Sequence, residues 1–323
     1  MNNSRREFLK KSALAAGGAF MLASSPGLLS AGSSSKSAFD FKISLAEWSL
    51  NKQIFGGELD NLNFPVVAKE KYGISAVEYV NQFFADKAKD KQYLQELKFR
   101  ADASGVESVL IMVDNEGLVA VQDDAERTQA VENHYKWIDA AAYLGCHAIR
   151  INLFGSEKAE NNVEGWISAG TDGLSRLAEY GAEREISVVV ENHGGLSSHA
   201  GHLTEVMRQV DSEYAGTLPD FGNFCIRREN NERWGDSCAE QYDTYKGVKE
   251  LMPFAKGVSA KTYAFDEDGN ESSLDYKRLL TIVKESGWSG GYIGVEYEGD
   301  SLSAENGIIA TRRLLERLRE ELG

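Results

Sequence analysis

From residue 41 onward, short apolar runs alternate with longer amphipathic stretches along the chain. The runs have the length of strands, and the β-branched run at 186–191 suits a strand buried on both faces, as in a parallel sheet covered by helices. We predict eight strands, at residues 42–48, 76–80, 107–113, 148–153, 186–191, 215–220, 257–261 and 292–296.

Helical patterns separate these runs. At residues 124–144, 165–184 and 304–322, apolar residues recur at spacings of three and four, which gives each helix one buried face. Strand and helix alternating eight times predict a single (β/α)8 TIM barrel over residues 41–323. A doubly wound sheet is the alternative, because the sequence does not show whether the sheet closes.

The chain begins with a segment that has the features of a targeting signal. A twin-arginine pattern at 4–10 precedes an uncharged Ala/Gly/Leu-rich stretch that ends near residue 31, and a Ser-rich spacer occupies 32–40. We predict a cleavable twin-arginine export signal over residues 1–31 and a periplasmic location. A retained membrane anchor is the alternative, but glycines and a proline interrupt the stretch, and no later segment is long and apolar enough to span a membrane.

The charge of the chain bears on its partners. The net charge is −15, and loss of the signal would bring it to about −18. So acidic a protein repels nucleic-acid backbones and does not attract anionic substrates in general. We therefore expect no nucleic-acid partner.

The three cysteines, Cys146, Cys225 and Cys238, lack the C-x-x-C spacing of a metal site or redox motif. An odd number also does not indicate a disulfide framework. We predict free, mostly buried thiols, with a Cys225–Cys238 bridge as the alternative.

Three of the predicted strands end in a carboxylate: the fifth in Glu191, the sixth in Asp220 and the eighth in Glu296. In a barrel the carboxyl ends of all strands meet at one rim, where barrel enzymes have their active sites. Each residue alone would be interpreted as a solvated loop residue or a helix N-cap. Together they form an anionic cluster that is costly without a cation or shared protons, and a divalent metal is the simplest solution.

These strand ends resemble those of the sugar phosphate isomerase/epimerase family, the xylose isomerase-like barrels that also include endonuclease IV. The resemblance covers the mature chain, and its residues are Glu191 in V-V-V-E-N-H, Asp220 in L-P-D-F-G-N, Lys261 in V-S-A-K and Glu296 in G-V-E-Y-E. In that family two glutamates, an aspartate and a histidine bind one divalent metal, and the glutamates are acid and base on opposite faces of the substrate carbon. The resemblance implies that Glu191 and Glu296 are catalytic residues and metal ligands, and that Asp220 is a third ligand.

The chain departs from the family pattern at three positions. Ser259 and Asn223 replace histidines, and Ser197 replaces a frequent substrate-binding glutamate. Ser259 is a weak fourth metal ligand, so water or another side chain would complete the coordination shell. Such an oxygen-rich site suits Mn²⁺ or Mg²⁺ better than Zn²⁺. The missing histidine cluster and the negative charge argue against an endonuclease.

Several polar residues near the predicted mouth are candidates for substrate binding. His193 lies two residues after Glu191 and so points to the same side of an extended strand. It is either a hydrogen-bond donor to substrate, a residue supporting the ligands, or a loop histidine satisfied by the backbone. Core packing is the alternative for Trp48. The candidates are His193, Arg150, Asn152, Lys261, Asn223, Glu47 and Trp48.

Two classes of function fit these observations. The first is a metal-dependent isomerase or epimerase that abstracts a proton next to a carbonyl, with a lyase or a 3-keto-glycoside-cleaving enzyme as a variant. The second is a periplasmic sugar-binding barrel without catalysis. Export and the lack of a glycine-rich phosphate-binding loop favour an unphosphorylated sugar, keto-sugar or cyclitol. A homo-oligomer is compatible with the sequence, which does not specify one.

Overall fold

The structure is a computed structural model that describes residues 39–156, 162–229, 235 and 237–323. The predicted export signal at 1–31 and the spacer up to residue 38 lie outside the described residues. None of the helices in the described part of the chain is long and apolar enough to cross a membrane.

Eight parallel strands form one sheet in the order β6-β5-β4-β3-β2-β1-β10-β9, and β7 and β8 form a separate antiparallel pair. The strands are β1 Lys42–Ala46, β2 Ala76–Val80, β3 Glu107–Val113, β4 Ala148–Ile151, β5 Ser187–Glu191, β6 Ala215–Leu218, β7 Cys225–Arg228, β8 Cys238–Gln241, β9 Val258–Thr262 and β10 Tyr292–Tyr297.

Backbone contacts between β6 and β9 bring the two edges of the large sheet together. The amide of Ser259 donates to the carbonyl of Pro219 at 2.9 Å, and the amide of Phe221 donates to the carbonyl of Ser259 at 3.2 Å. Asp220 and Ser259 therefore lie opposite each other across this junction. The predicted (β/α)8 TIM barrel is confirmed, and the doubly wound alternative is wrong.

The helices cover the outside of the barrel. Several of their N-termini are capped by acidic or hydroxyl side chains, as at Asp123, Asp243, Asp275 and Ser303, which accept hydrogen bonds from backbone N–H groups that the helix leaves unpaired. The helices are α1 Asn51–Phe55, α2 Phe64–Tyr72, α3 Lys91–Ala103, α4 Asp124–Leu144, α5 Val163–Ala182, α6 Ala200–Val210, α7 Thr244–Leu251, α8 Tyr276–Glu285 and α9 Ala304–Leu322.

Two apolar clusters hold the strands in place. The larger lies between the sheet and the helices, and the smaller lies inside the barrel, with Ala46, Leu110, Met112 and Val189 among its members. The inside of the barrel is thus packed rather than open, as in other barrels of this size. Buried polar side chains such as Glu191 lie at the carboxyl ends of the strands, the end where barrel enzymes have their active sites.

A hairpin of β7 and β8 follows β6, and the sequence did not predict it. Cys225 and Cys238 on its two strands form a disulfide with a Cα–Cα distance of 5.8 Å. The prediction of free thiols is wrong for this pair, because chain spacing alone did not reveal that the two segments pair as strands. Cys146 is a buried free thiol.

Candidate metal centre and active site

The structure brings the three predicted carboxylates together at the rim of the barrel. Glu191 is the last residue of β5, Glu296 lies in β10, and Asp220 follows β6 by two residues. One oxygen of each carboxylate lies within 4.8 Å of the others, and the three residues are at most 4% exposed. Three acidic groups that are distant in the sequence therefore share one small, buried space.

Backbone groups fix the orientation of Asp220. Its Oδ1 accepts the amides of Gly222 and Asn223, both at 2.7 Å, and its own amide donates to Asn192 Oδ1 at 2.8 Å. With Oδ1 occupied in this way, Oδ2 is the oxygen that faces the other members of the cluster. The tight turn after β6 thus presents one defined oxygen atom to the site.

Ser259 lies between two of the carboxylates. Its Oγ is 2.8 Å from Asp220 Oδ2 and 2.7 Å from Glu296 Oε2. A hydroxyl has one hydrogen and can donate to only one acceptor at full strength. The second short oxygen–oxygen contact therefore requires a proton on a carboxylate or a cation among these oxygens.

Two buried basic side chains balance part of the negative charge. Lys261 Nζ lies 3.6 Å from Asp220 Oδ2, 3.7 Å from Glu296 Oε2 and 3.3 Å from Glu298 Oε1. On the other side, Arg150 Nε lies 2.9 Å from Glu191 Oε2, although its N–H is not aligned for a hydrogen bond.

The protonation of the cluster reflects burial first and charge second. Burial raises the pKa of Glu191 to about 8, with Asp220 adding to the increase and Arg150 opposing it. Burial likewise raises the pKa of Asp220 to about 6, against the nearby Lys261. Burial disfavours the ammonium of Lys261, but Asp220 and Glu296 outweigh it and hold the pKa of Lys261 well above its usual value.

The donor set fits a hard divalent metal ion. Glu191, Asp220 and Glu296 offer carboxylate oxygens, and Ser259 adds a hydroxyl oxygen in contact with two of them. Oxygen donors without thiolate or imidazole are those that Mg²⁺ and Mn²⁺ prefer. A cation here would also resolve the short contacts around Ser259.

Four of the predicted substrate-binding residues border this cluster directly or through one partner. Asn223 Nδ2 donates to Glu191 Oε1 at 2.9 Å, and Arg150 and Lys261 pair with the carboxylates as described above. Asn152 accepts from Arg150 Nη1 at 3.3 Å. Next to Asn152 lies His193, whose Nδ1 is 2.6 Å from Asn152 Oδ1.

Glu47 and Trp48 lie directly after β1, whose neighbour in the sheet is β10. Glu47 is fully buried and accepts the amide of Val80 at 2.8 Å, a contact that joins the first two strand ends. The ring of Trp48 stacks with Phe83 at a centroid distance of 6.0 Å and contacts Phe55 edge-on. The structure therefore gives Glu47 a hydrogen bond to the backbone and puts Trp48 in a group of aromatic rings.

Two acidic residues near the site were not singled out from the sequence. Asp114 follows β3 and accepts hydrogen bonds from Arg150 and Asn152, and Glu298 contacts Lys261. The rule used for the other strands would have found Asp114, because it stands directly after the apolar run 107–113. Alternation along a strand would have found Glu298, since it is two residues past Glu296.

Comparisons with known proteins place the fold. No curated protein matches the chain. A D-tagatose 3-epimerase-like protein has 18% identity and a TM-score of 0.65, with 87% of this chain and 98% of the other covered. An IOLI protein with a bound zinc atom has 14% identity and a TM-score of 0.65, with 87% and 99% covered.

A 3-keto-D-glucoside 4-epimerase from E. coli has 12% identity and a TM-score of 0.58, with 87% of this chain and 99% of the other covered. Structural similarity at such low identity establishes a shared fold and leaves the reaction open. The profile of the xylose isomerase-like TIM barrels matches residues 67–320. The chain therefore belongs to the xylose isomerase-like TIM barrel family.

Proposed function

We propose that this protein is a divalent-metal-dependent sugar isomerase or epimerase that abstracts a proton next to a carbonyl group. The observation that carries the proposal is the meeting of Glu191, Asp220 and Glu296 within 4.8 Å of one another in a buried space. Similar structures include a D-tagatose 3-epimerase-like protein and a 3-keto-D-glucoside 4-epimerase, which supports a carbohydrate substrate.

Glu191, Asp220 and Glu296 would hold the ion, with Mn²⁺ or Mg²⁺ favoured by the oxygen donors. When bound, such an ion polarises the substrate carbonyl and so acidifies the neighbouring C–H group. Glu191 or Glu296 takes that proton as a carboxylate, and the other glutamate returns a proton as a carboxylic acid. Return to the same carbon from the opposite face gives epimerisation, and return to the neighbouring carbon gives isomerisation.

The surrounding side chains set the orientation and the protonation of Glu191. Asn223 and Arg150 contact the two different oxygens of Glu191, which fixes the plane of its carboxylate. Burial raises the pKa of Glu191 to about 8, and a bound divalent ion would lower it and so favour the carboxylate that accepts the substrate proton.

The charges of the site support an unphosphorylated substrate. Within the described residues, Arg150 pairs with Asp114 and Glu191, and Lys261 lies among Asp220, Glu296 and Glu298. Both buried cations are therefore shared among carboxylates, and a phosphate dianion would have to compete with them. An uncharged ketose, keto-glycoside or cyclitol meets no such competition.

The test is a screen for deuterium exchange. Unphosphorylated ketoses, inososes and 3-keto-glycosides are incubated with the protein and Mn²⁺ in D₂O, and the products are followed by NMR. We expect one class to incorporate deuterium at a carbon next to its carbonyl. An elimination product would support the lyase variant, which uses the same proton abstraction.

A sugar-binding protein without catalysis is the second candidate, and Ser259 in place of the family's histidine ligand favours it. In that case a sugar would raise the melting temperature without any deuterium exchange. Stabilisation without exchange across the whole screen would contradict the enzyme proposal.

We also propose that the protein is periplasmic. The twin-arginine pattern and the Cys225–Cys238 disulfide support this location, since structural disulfides persist in oxidising compartments. Fractionation of expressing cells, followed by mass spectrometry, should find the chain cleaved near residue 31 and the disulfide intact. An uncleaved chain that stays reduced in the cytoplasm would contradict the location.

A further inference from the structure

A short 3₁₀ turn, Glu47–Leu50, follows β1 and brings Ser49 against the backbone of β10. The side chain of Ser49 is buried. Its Oγ donates to the carbonyl of Val295 at 3.3 Å and accepts the amide of Tyr297 at 3.0 Å. These two groups belong to the peptide bonds on either side of Glu296. One hydroxyl therefore holds both peptide groups that flank a proposed catalytic residue.

The pairing of β1 with β10 ends before it reaches Glu296. The last pair on that side is Leu45 and Val295, whereas on the other side β9 pairs with β10 as far as Tyr297. The amide of Glu298 donates toward β9 at 2.9 Å, so the preceding amide, that of Tyr297, points to the β1 side. A buried amide needs an acceptor there, and a side chain supplies it where β1 has already turned away.

The same arrangement occurs at two other strand ends. Asn192, after β5, donates to the carbonyl of Asp220 at 2.9 Å and accepts its amide at 2.8 Å. Asn81, after β2, donates to the carbonyl of Asp114 and accepts its amide, both at 2.9 Å. In each case a buried side chain with a donor and an acceptor fixes the backbone of an acidic residue that follows the neighbouring strand. A serine hydroxyl can do this with one atom, since it both donates and accepts.

We propose that Ser49 is a positioning residue for Glu296, because it fixes the backbone that directs this carboxylate toward Glu191 and Asp220. The inference rests on the proposed function, in which Glu296 holds the ion and transfers a proton. Without the contact, rotation of either flanking peptide group would move the carboxylate, and a displacement of about 1 Å can cost about 10²-fold in rate. The sequence did not indicate Ser49, since the residues in contact lie 246 positions apart.

Kinetics with the sugar that exchanges deuterium in the screen test the effect on the reaction. Ser49→Ala removes the donor and the acceptor without adding bulk, so kcat should fall at least about tenfold while KM changes less than about threefold. Ser49→Thr, whose hydroxyl again donates and accepts, should recover most of kcat. Ser108→Ala is the matched control. It removes a hydroxyl near the start of β3, 3.0 Å from the Tyr79 hydroxyl, and should leave kcat unchanged.

The effect on Glu296 is also measured without any sugar, by calorimetric titration with Mn²⁺. A misdirected carboxylate is a weaker ligand, so the dissociation constant should rise at least about tenfold in Ser49→Ala and stay within about twofold of wild type in Ser108→Ala. Amide hydrogen exchange tests the contact itself. The amide of Tyr297 should exchange faster in Ser49→Ala, while amides in the middle of β10 keep their wild-type protection.

An unchanged exchange rate of the Tyr297 amide in Ser49→Ala would overturn the contact, and an unchanged dissociation constant for Mn²⁺ would overturn its role in positioning Glu296. Equal losses of kcat in Ser49→Ala and Ser108→Ala would overturn that role too. So would a Ser49→Thr variant that melts at the wild-type temperature but is as slow as Ser49→Ala. If no sugar exchanges deuterium, the proposed function fails, and the Mn²⁺ titration still decides whether Ser49 positions Glu296.

Discussion

Buried glutamates occur on two sides of this barrel, and their surroundings differ. On the β1–β2 side, Glu47 accepts the amide of Val80, and Glu78 accepts the hydroxyl of Ser44 at 2.6 Å. On the β5–β10 side, Glu191 and Glu296 meet Asp220 in one cluster. In the part of the chain that the structure describes, ion pairs with basic side chains occur only for the second pair.

Burial alone does not distinguish the two sides. It raises the pKa of Glu78 to about 7 and the pKa of Glu47 well above its usual value, just as it raises the pKa of Glu191 to about 8. The difference is convergence. Glu47 and Glu78 each accept one hydrogen bond from a nearby group, and the charges of Glu296 and Arg150 act on Glu78 only as secondary effects, whereas Glu191 and Glu296 share their space with a third acid and two cations. The candidate site is therefore distinguished by several buried carboxylates in contact with two basic side chains, rather than by a raised pKa alone.

The largest effect should come from removing the proposed acid and base. Glu191→Gln and Glu296→Gln keep the shape of the side chain but cannot transfer the proton, so kcat should fall at least about 10³-fold. The measurement is the rate of deuterium exchange with the sugar found in the screen, with circular dichroism to show that the fold survives.

Glu47→Gln and Glu78→Gln are the matched controls from the other side of the barrel. Each should keep kcat within about threefold of wild type, because neither residue is placed in the proton-transfer path. Wild-type exchange in Glu191→Gln or Glu296→Gln would remove the distinction between the two pairs.

Much of this site could be predicted from the sequence, because strand ends are visible as polar residues that follow apolar runs. The same pattern predicted Glu191, Asp220 and Glu296, and helices α4 and α9 begin and end where the spacing of apolar residues indicated. Closure of the barrel depends on backbone contacts between β6 and β9 that leave no sequence pattern.

Other features depend on three-dimensional contacts that the sequence did not reveal. The direct contact of Asn223 with Glu191 arises from the turn after β6. His134 on α4 is polar but buried, and its Nδ1 contacts the Ala130 carbonyl at 2.7 Å. Its spacing of four from Ala130 and from Ile138 places it on the buried face, a signal that residue polarity obscured.

The next effect is on metal affinity. Asp220→Asn removes one anionic donor, so the dissociation constant for Mn²⁺ should rise at least about 100-fold in calorimetric titration. Glu298→Gln is the matched control, since Glu298 contacts Lys261 but lies outside the three-carboxylate cluster, and its effect should stay below about tenfold. Equal losses in the two variants would show that net charge, and not the cluster, governs binding.

The smallest effect concerns stability on the β1–β2 side. The pKa of Glu78 rises on folding from 4.5 to about 7, because burial disfavours its charge. The folded state therefore holds a proton that the unfolded chain releases, so this group destabilises the fold progressively as the pH rises from 4.5 to 7. Glu78→Gln should remove this penalty, stabilising the fold by about 2 kcal/mol at pH 8 and by little at pH 4.

Chemical denaturation at the two pH values measures the difference. A Glu78→Gln variant whose stability relative to wild type does not depend on pH would mean that Glu78 is charged in the fold.

Gly294 on β10 lies close to the side chain of Glu78, since a Cβ at Gly294 would lie 2.7 Å from both carboxylate oxygens. Gly294→Ala should therefore destabilise the fold at both pH values.

The most direct test of the central claim is a crystal structure of the protein with Mn²⁺, with anomalous diffraction used to locate the ion. We predict one anomalous peak per chain, within about 2.0–2.6 Å of oxygens from Glu191, Asp220 and Glu296. The claim would be contradicted if no anomalous peak lies at this cluster. A peak elsewhere in the protein, with the three carboxylates contacting only one another and Lys261, would contradict it too.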